Sequence, residues 1–253
     1  LEFRRVLFRS GVIYTTNITP DPETGIGAWS EGAFIRAMRE GVDRSGHYLY
    51  PAFPYDYFAK VSEADLKAVY AFLMSRGPVK ETAPENGLSF PFNIRLLLAG
   101  WNALFLERGE FRENPAKDAE WNRGAYLVEG LGHCGACHTP RDAFGVAPKS
   151  GPTAYAGAVV EGWRTPALNA DPANRVPWTP KSLVNYLIDG WDGQHGIAAG
   201  PMMPVVNDLH DQSEDDVFAI AAYLMSLKGT AKPVAELESL TTAVTTNAAK
   251  LEW

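Results

Sequence analysis

An internal repeat constrains the fold of this chain more than any other feature, because repeated patterns predict repeated structural units. The two copies align at Trp29 and Trp178, an offset of 149 residues (178 − 29), and again at Ser62 and Ser213, an offset of 151 residues (213 − 62). An apolar helical pattern follows each of these four positions. The sequence therefore predicts two copies of one small helical domain, mostly α with long loops.

Both copies carry the same helix-end signals. Gly41 and Gly190 are typical C-terminal stops, and the serines at 62 and 213, each followed three residues later by Asp, are typical N-caps. The second copy also contains a helical pattern from about Asp118 to Glu129, where Gly124 permits the close approach of another helix. We predict that this helix packs across the one from Glu214 to Leu227.

Composition excludes several classes of protein. The chain is 46% hydrophobic and 21% charged, as is ordinary for a globular protein. Its net charge is −7, whereas nucleic-acid binders typically carry a basic patch, so nucleic-acid binding is not expected. The longest strongly apolar run, Leu96 to Leu106, has 11 residues and includes Asn102, whereas a bilayer span needs about 20. No membrane-spanning segment is expected.

The two cysteines of the chain belong to one motif. Cys134, Cys137 and His138 form Cys-x-x-Cys-His, the attachment signature of c-type haem. Thiols one helical turn apart can reach two vinyl groups on one edge of a porphyrin, and the adjacent histidine then lies under the iron as proximal ligand. Haem attachment of this kind takes place outside the cytoplasm, so the motif predicts export, with the signal peptide missing from this fragment.

Three other interpretations of the cysteines are weaker. A zinc site needs four ligands, and no second cysteine pair exists. A thioredoxin-like redox pair would require a βαβ context, and the flanking sequence has no strand pattern. A structural disulfide between residues three apart is possible in principle but does not require the histidine.

The sixth ligand of the iron is expected downstream. Met202 follows Gly200-Pro201 in an irregular loop, 64 residues after His138 (202 − 138). An apolar side chain in such a loop is explained if it packs against one face of the haem. A thioether opposite a histidine favours the reduced iron. We predict Met202 as ligand, with Met203 as runner-up. The weaker candidates for the sixth ligand are His195, His210 and Met225. We interpret the two histidines as loop residues and Met225 as part of a helix core.

The first copy lacks a haem motif, which would fall before residue 1 at position −11 (138 − 149). The first domain is therefore predicted to be truncated. Phe53 stands at the position that matches Met202 (202 − 149), and phenylalanine cannot ligate iron. The missing haem either lacks a methionine ligand or uses another group, such as His47.

The chain resembles the multihaem cytochrome c subunits of bacterial membrane-bound dehydrogenases. These subunits serve alcohol, gluconate and aldehyde enzymes and nicotinate-type molybdenum hydroxylases. The matching segments are Asn17–Asp21, Gly25–Gly27, Leu49–Ala52, Phe90–Arg95, Arg123–Val128, Gly132–Arg141, Gly162-Trp163 and Gly200–Met202.

The resemblance implies tandem class I c-type cytochrome domains, the first of them truncated. Residues 1–10 are then an artefact or truncation scar, and 11–80 the C-terminal half of a first domain. Residues 81–114 are an interdomain segment, 115–229 a complete domain, and 230–253 a linker towards a missing third domain. We expect Asn93 to Phe105 to be buried between the repeats; docking onto a partner or a membrane is the alternative.

The resemblance also implies roles around the haem. The carbonyl of Pro140 would hold the other ring nitrogen of His138, and Arg141 and Trp163 would neutralise or cap the propionates. For Trp163, simple packing in an aromatic core is equally expected.

The implied function is periplasmic electron transfer through haem c, at the outer face of the inner membrane. Electrons would pass from a dehydrogenase catalytic subunit towards quinone or a terminal oxidase, and the chain would not itself be an enzyme. A peroxidase-like haem enzyme with an open iron site is the first alternative. An interaction module whose cysteines form a disulfide is the second.

Overall fold

The computed structural model describes residues 5–8, 11–170 and 176–228. Helices are the main regular structure of the described residues, and only short strands lie between them, which is compatible with the predicted mostly α fold class. The chain divides into two compact units, Leu1–Arg112 and Glu113–Trp253. No helix in the described ranges is both long and apolar enough to cross a bilayer.

The first unit is built from four helices and a small antiparallel sheet. Tyr55 and Ala59 form its buried centre together with Leu106, and the Tyr55 hydroxyl donates to Asn102 Oδ1 at 2.6 Å. Asn102 in turn donates to the Glu40 carbonyl at 2.8 Å. The elements are β1 (Arg5–Phe8), β2 (Gly11–Tyr14), α1 (Glu31–Glu40), α2 (Tyr55–Phe58), α3 (Glu63–Met74), β3 (Gly87–Leu88) and α4 (Leu97–Phe105), with strand order β1-β2-β3.

Within residues 1–10, strand β1 pairs with β2. One expectation for the first unit is wrong. The segment Asn93 to Phe105 is not buried throughout, since Leu96 and Leu104 are 74% and 76% exposed. The reason is that α4 is two-sided: Trp101 and Asn102 pack towards Tyr55, while the opposite side chains point to solvent.

The second unit contains the Cys-x-x-Cys-His motif. A π-helical turn (Leu127–Leu131) continues its first helix. The elements are α5 (Ala119–Tyr126), α6 (Gly135–His138), β4 (Ala158–Val160), β5 (Trp163–Thr165), α7 (Pro180–Asp189), β6 (Trp191–Asp192), β7 (Gly196–Ile197), α8 (Met202–His210) and α9 (Glu214–Ser226). The β4–β5 and β6–β7 pairs are antiparallel hairpins.

Helices α5 and α9 pack closely, which confirms the prediction for these two segments. A Cβ added to Gly124 would lie 1.9 Å from the Ala219 carbonyl oxygen, so only glycine fits the crossing point. The Trp121 ring meets the Tyr223 ring edge-on at 5.1 Å, and Trp121 Nε1 donates to Ser226 Oγ at 2.8 Å.

The helix-end signals predicted at the repeated positions are confirmed. Gly41 and Gly190 end α1 and α7 in the left-handed region, with φ of 63° and 75°. The backbone N–H of Leu49 donates to the Gly41 carbonyl, and that of Ala198 to the Gly190 carbonyl, both at 2.7 Å. Ser62 and Ser213 cap α3 and α9 in the same way.

The ion pair between Arg123 and Asp216 gives a pH-dependent prediction. Two hydrogen bonds join them at 2.7 and 2.9 Å, and the bond from Arg123 is the main cause that lowers the pKa of Asp216 from 3.8. A carboxyl whose pKa is lower in the folded state than in the unfolded state stabilises the folded protein at pH values above its unfolded-state pKa. This contribution is lost as the pH falls through the folded-state pKa. We expect Arg123→Met to reduce the free energy of unfolding by about 0.5–1 kcal/mol at pH 7, because the pair is partly exposed.

Urea unfolding of Arg123→Met at pH 7 and at about pH 2.5, alone and combined with Asp216→Asn, checks this prediction. The loss should shrink at the lower pH and in the Asp216→Asn background, because both changes remove the carboxylate charge. An equal loss under all conditions would mean that packing of the arginine stem, not the ion pair, is responsible.

Candidate haem site

The short helix α6 brings the three motif residues together. Cys134 is its N-cap and His138 its last residue, and the His138 N–H donates to the Cys134 carbonyl at 3.0 Å. One helical turn therefore separates the two thiols, as thioether bonds to a single porphyrin edge require. The two cysteines are not joined by a disulfide, and burial raises the pKa of the Cys134 thiol to about 12.

His138 is buried and held through one ring nitrogen. Its Nδ1 lies 2.8 Å from the Pro166 carbonyl oxygen, and burial is the main cause that lowers its pKa, opposed by this bond. A carbonyl can only accept, so Nδ1 carries the proton and the lone pair of the neutral imidazole is on Nε2. This is the tautomer that a metal-ligating histidine needs.

The carbonyl that orients His138 belongs to Pro166, so the prediction of Pro140 is wrong. After His138 the backbone leaves the helix in an extended conformation at Thr139, with φ −118° and ψ 131°. The polypeptide returns beside the histidine only after strand β5, where Pro166 follows Thr165. The orienting group thus comes from 28 residues downstream.

Thr165, which the sequence reasoning missed, joins this returning segment to the motif. Its hydroxyl donates to the Cys137 carbonyl at 2.7 Å and accepts from the Ala158 N–H at 2.9 Å. The Gly157 N–H donates to the His138 carbonyl at 2.8 Å, so the β4–β5 hairpin and the glycine before it are bound to the C-terminal end of the motif turn. The only signal in the sequence was the glycine pair Gly157 and Gly162, which adopt φ of 84° and 81° around this hairpin.

We expect Thr165→Val to loosen the orientation of His138. The substitution keeps the volume but removes the bond to Cys137, and the free energy of unfolding should fall by about 1–3 kcal/mol because a partly buried carbonyl loses this donor. Thr165→Ser, which keeps the hydroxyl, is the matched control. Urea unfolding of the haem-loaded protein measures the effect, and equal stabilities of the two variants would contradict this role for Thr165.

Met202 does not lie in an irregular loop, as predicted, but is the first residue of α8. Met202 is partly buried and Met203 is 40% exposed. Adjacent residues of a helix point about 100° apart, so the two thioethers face different directions. Gly200, just before them, adopts φ 55°, and a Cβ there would lie 2.5 Å from the Trp163 ring. Trp163 thus packs on the turn that carries Met202, with half of its surface exposed.

Of the remaining histidine candidates, His195 has partners on both ring nitrogens and His210 on one. His195 is stacked on Trp178 at 3.6 Å, with Nδ1 2.6 Å from Asp192 Oδ1 and Nε2 3.1 Å from the Val176 carbonyl. Both of its nitrogens therefore already have partners. His210 Nδ1 lies 3.2 Å from the Ile188 carbonyl.

Three further predicted residues lie as follows. Arg141 donates to the Gly145 carbonyl at 2.8 Å, within its own loop. Met225 is on α9. In the first unit, Phe53 packs against the buried centre and lies 5.5 Å from the Phe58 ring.

The donor set fits haem. Haem iron takes four nitrogens from the porphyrin, so the protein needs to supply only axial ligands and thioether anchors. In the part of the chain that the structure describes, no three His, Cys, Asp or Glu side chains gather as a metal site of their own. A single oriented histidine beside two cysteines that form no disulfide matches the requirement of haem c and not that of structural zinc.

No family model matches the chain. It is 57% identical to a nicotinate dehydrogenase subunit of Pseudomonas putida, over 87% of this chain and 18% of that protein. It is 39% identical to the fructose dehydrogenase cytochrome subunit of Gluconobacter japonicus, over 88% of this chain and 46% of that protein. A dihaem cytochrome c-type protein of Cereibacter sphaeroides is 38% identical over 85% of this chain and 71% of its own length.

The chain spans less than half the length of the first two of these relatives. The fructose dehydrogenase subunit and the Cereibacter protein are both named as cytochromes, and these names agree with the haem-attachment motif. The chain belongs to the family of c-type cytochromes that includes the cytochrome subunits of dehydrogenases, and its relatives imply haem c as cofactor.

Proposed function

We propose that this chain binds one haem c and transfers single electrons through it. Cys134 and Cys137 would anchor the porphyrin, and His138 and Met202 would supply the two protein ligands of the iron. The observation that carries the proposal is the bond from His138 Nδ1 to the Pro166 carbonyl, which leaves Nε2 for a metal beside two cysteines that form no disulfide.

The ligand pair suits electron transfer. Haem supplies an iron that cycles between the ferric and ferrous states. Two protein ligands that stay bound in both states leave no site for substrate, and the thioether favours the ferrous state. The β4–β5 hairpin holds His138 in one orientation, so little reorganisation accompanies the gain or loss of an electron.

The partner that we propose is a dehydrogenase catalytic subunit. Several relatives are named as cytochrome subunits of fructose, gluconate and alcohol dehydrogenases, and these names support a carrier that accepts electrons from a separate catalytic subunit. We propose quinone or a terminal oxidase as the acceptor. Because haem c is attached outside the cytoplasm, we place the protein in the periplasm, associated with the outer face of the inner membrane.

Carbon monoxide separates an electron carrier from a haem enzyme. The haem-loaded protein is reduced with dithionite, exposed to carbon monoxide and compared with the same sample under argon. A carrier with both axial positions filled should show no change in its Soret band, because the gas needs an open position. Stoichiometric carbon monoxide binding together with peroxide turnover would overturn the proposal in favour of the peroxidase-like alternative.

A further inference from the structure

The turn of the β6–β7 hairpin carries a histidine, His195, whose two ring nitrogens both face hydrogen-bond acceptors. Nδ1 lies 2.6 Å from Asp192 Oδ1, and Nε2 lies 3.1 Å from the Val176 carbonyl oxygen. The bond with His195 is the main cause that lowers the pKa of Asp192 from 3.8, so this carboxyl is ionised at neutral pH and can only accept. A carbonyl oxygen also only accepts. Both ring nitrogens must therefore donate, and only the positively charged imidazolium has two N–H groups.

The surroundings of the ring suit a positive charge. The side chain of His195 is 3% exposed, and its ring is stacked on that of Trp178 at 3.6 Å, with 13° between the two planes. The face of an indole ring attracts a cation. Asp192 faces the imidazolium from the same hairpin, and Tyr186 of α7 faces it across Trp178, with the tryptophan and tyrosine rings 5.3 Å apart. Burial raises the pKa of Tyr186, so Tyr186 stays neutral while Asp192 balances the charge.

The two bonds of His195 join the segment before α7 to the hairpin after it. Val176 precedes α7, whereas the hairpin follows the end of that helix. From the hairpin, the backbone continues through Ala198, whose N–H donates to the Gly190 carbonyl at 2.7 Å, to Met202 at the start of α8. His195 lies seven residues before Met202 (202 − 195). Its bonds therefore fix the start of the segment that positions this methionine.

The first unit contains a matching turn. Asp43 corresponds to Asp192 at the offset of 149 residues (192 − 43). The backbone N–H of Ser45 donates to Asp43 Oδ1 at 2.8 Å, as that of Gln194 does to Asp192 Oδ1 at 3.0 Å. The two aspartates thus close the same kind of turn.

In the first unit an arginine makes the bond to the incoming segment that His195 makes in the second. Arg44 Nη1 donates to the carbonyl of Ala28 at 2.9 Å, directly before Trp29, which corresponds to Trp178. An arginine in a protein keeps its charge, whereas histidine is the side chain that titrates closest to neutral pH. The connection in the first unit is therefore permanent, and the one in the second responds to pH.

We propose that His195 is a positioning residue for Met202, which as an imidazolium holds the hairpin to the Val176 carbonyl and which releases it on losing a proton to solvent. The neutral ring keeps the proton on Nδ1, beside the Asp192 carboxylate, so the lone pair of Nε2 then faces the carbonyl oxygen and this bond is lost. The methionine side of the haem site is loosened as the pH rises. The haem part of this inference rests on the proposed function, in which Met202 binds the iron, whereas the charge of the ring does not.

Nitrogen-15 NMR of the reduced, haem-loaded protein measures the charge of the ring directly. Both ring nitrogens of His195 should show the chemical shift of an N–H nitrogen at about pH 5, and Nε2 alone should lose its proton by about pH 8. Loss of the proton from Nδ1 instead would overturn the proposal, because the bond to Val176 would then survive. A ring that keeps both protons over this range would also overturn it, because the bond would then not respond to pH.

Azide binding tests the consequence for Met202. At saturating azide, the rate at which the ferric haem binds this anion is limited by release of the methionine. We expect this limiting rate to rise about tenfold between about pH 5 and 8 in the unmodified protein, the scale of one charge-assisted hydrogen bond. His195→Gln, whose side chain carries no charge, should show the fast rate at both pH values. The control His210→Gln changes an exposed histidine of the same unit and should follow the unmodified protein.

A limiting rate that does not change with pH in the unmodified protein, or that changes equally in His195→Gln, would overturn the role of His195. Met202→Ala separates this result from a failure of the ligand assignment, because azide should bind this variant without a limiting rate. If Met202→Ala kept the limiting rate of the unmodified protein, Met202 would not be the ligand that is released. The link between His195 and the haem would then be wrong, whatever the charge of the ring.

Discussion

Replacing Gly124 with valine should destabilise the second unit more than any other single substitution in helix α5. Even the first added carbon would lie 1.9 Å from the Ala219 carbonyl oxygen and 2.9 Å from the Tyr223 side chain. The nearest atom belongs to backbone, so the clash can be relieved only if the helices separate. We expect the free energy of unfolding of the haem-loaded protein to fall by about 3 kcal/mol or more.

Gly32→Ala is the matched control for this prediction. Gly32 is also in a helix, α1, but a Cβ there meets nothing within 4 Å. Because alanine is the better helix former, we expect the control to be neutral or to stabilise by up to about 1 kcal/mol. Thermal unfolding followed by circular dichroism compares the variants, and a Gly124→Val protein as stable as the control would show that α5 and α9 are not packed as described.

Met202→Ala should open the iron without releasing the haem. The thioether bonds to Cys134 and Cys137 do not involve Met202, so the haem content should stay the same. The reduced variant should bind carbon monoxide stoichiometrically, where the unmodified protein binds none. Its reduction potential should fall, because the thioether no longer stabilises the ferrous iron.

Met203→Ala is the control, since its side chain points about 100° away on the same helix and is 40% exposed. It should change neither gas binding nor potential. If Met203→Ala altered both while Met202→Ala altered neither, the ligand assignment would be off by one residue. If neither variant differed from the unmodified protein, neither methionine would be the sixth ligand.

Features that depend on neighbours in sequence could be predicted. The glycine stops at 41 and 190 and the serine caps at 62 and 213 follow from local conformational preferences, and the structure confirms all of them. The motif turn is equally local, because three residues on one short helix fix the spacing of its donors. Repetition of such signals at similar offsets, 149 and 151 residues, made the domain-level prediction stronger than either copy alone.

Features that depend on distant backbone could not be predicted in this way. The group that orients His138 belongs to Pro166, and its position depends on a hairpin whose hydrogen bonds lie between Ala158 and Thr165. No periodicity in the sequence predicts the position of the Pro166 carbonyl. Pro140 was predicted as the partner of His138 from the family resemblance alone. The exposure of Leu96 and Leu104 was missed for a related reason: hydrophobicity predicts burial, but it does not say which face of α4 the first unit covers.

Covalent haem content is the most direct test of the central claim. The protein is expressed in the periplasm together with the haem-attachment machinery, extracted with acidified acetone to remove unattached haem, and converted to its pyridine haemochrome. We predict one haem per chain that resists extraction, with the spectrum of a porphyrin joined by two thioether bonds, and a lower covalent yield for Cys137→Ala. Haem that extracts completely, or a covalent yield unchanged by Cys137→Ala, would contradict the account.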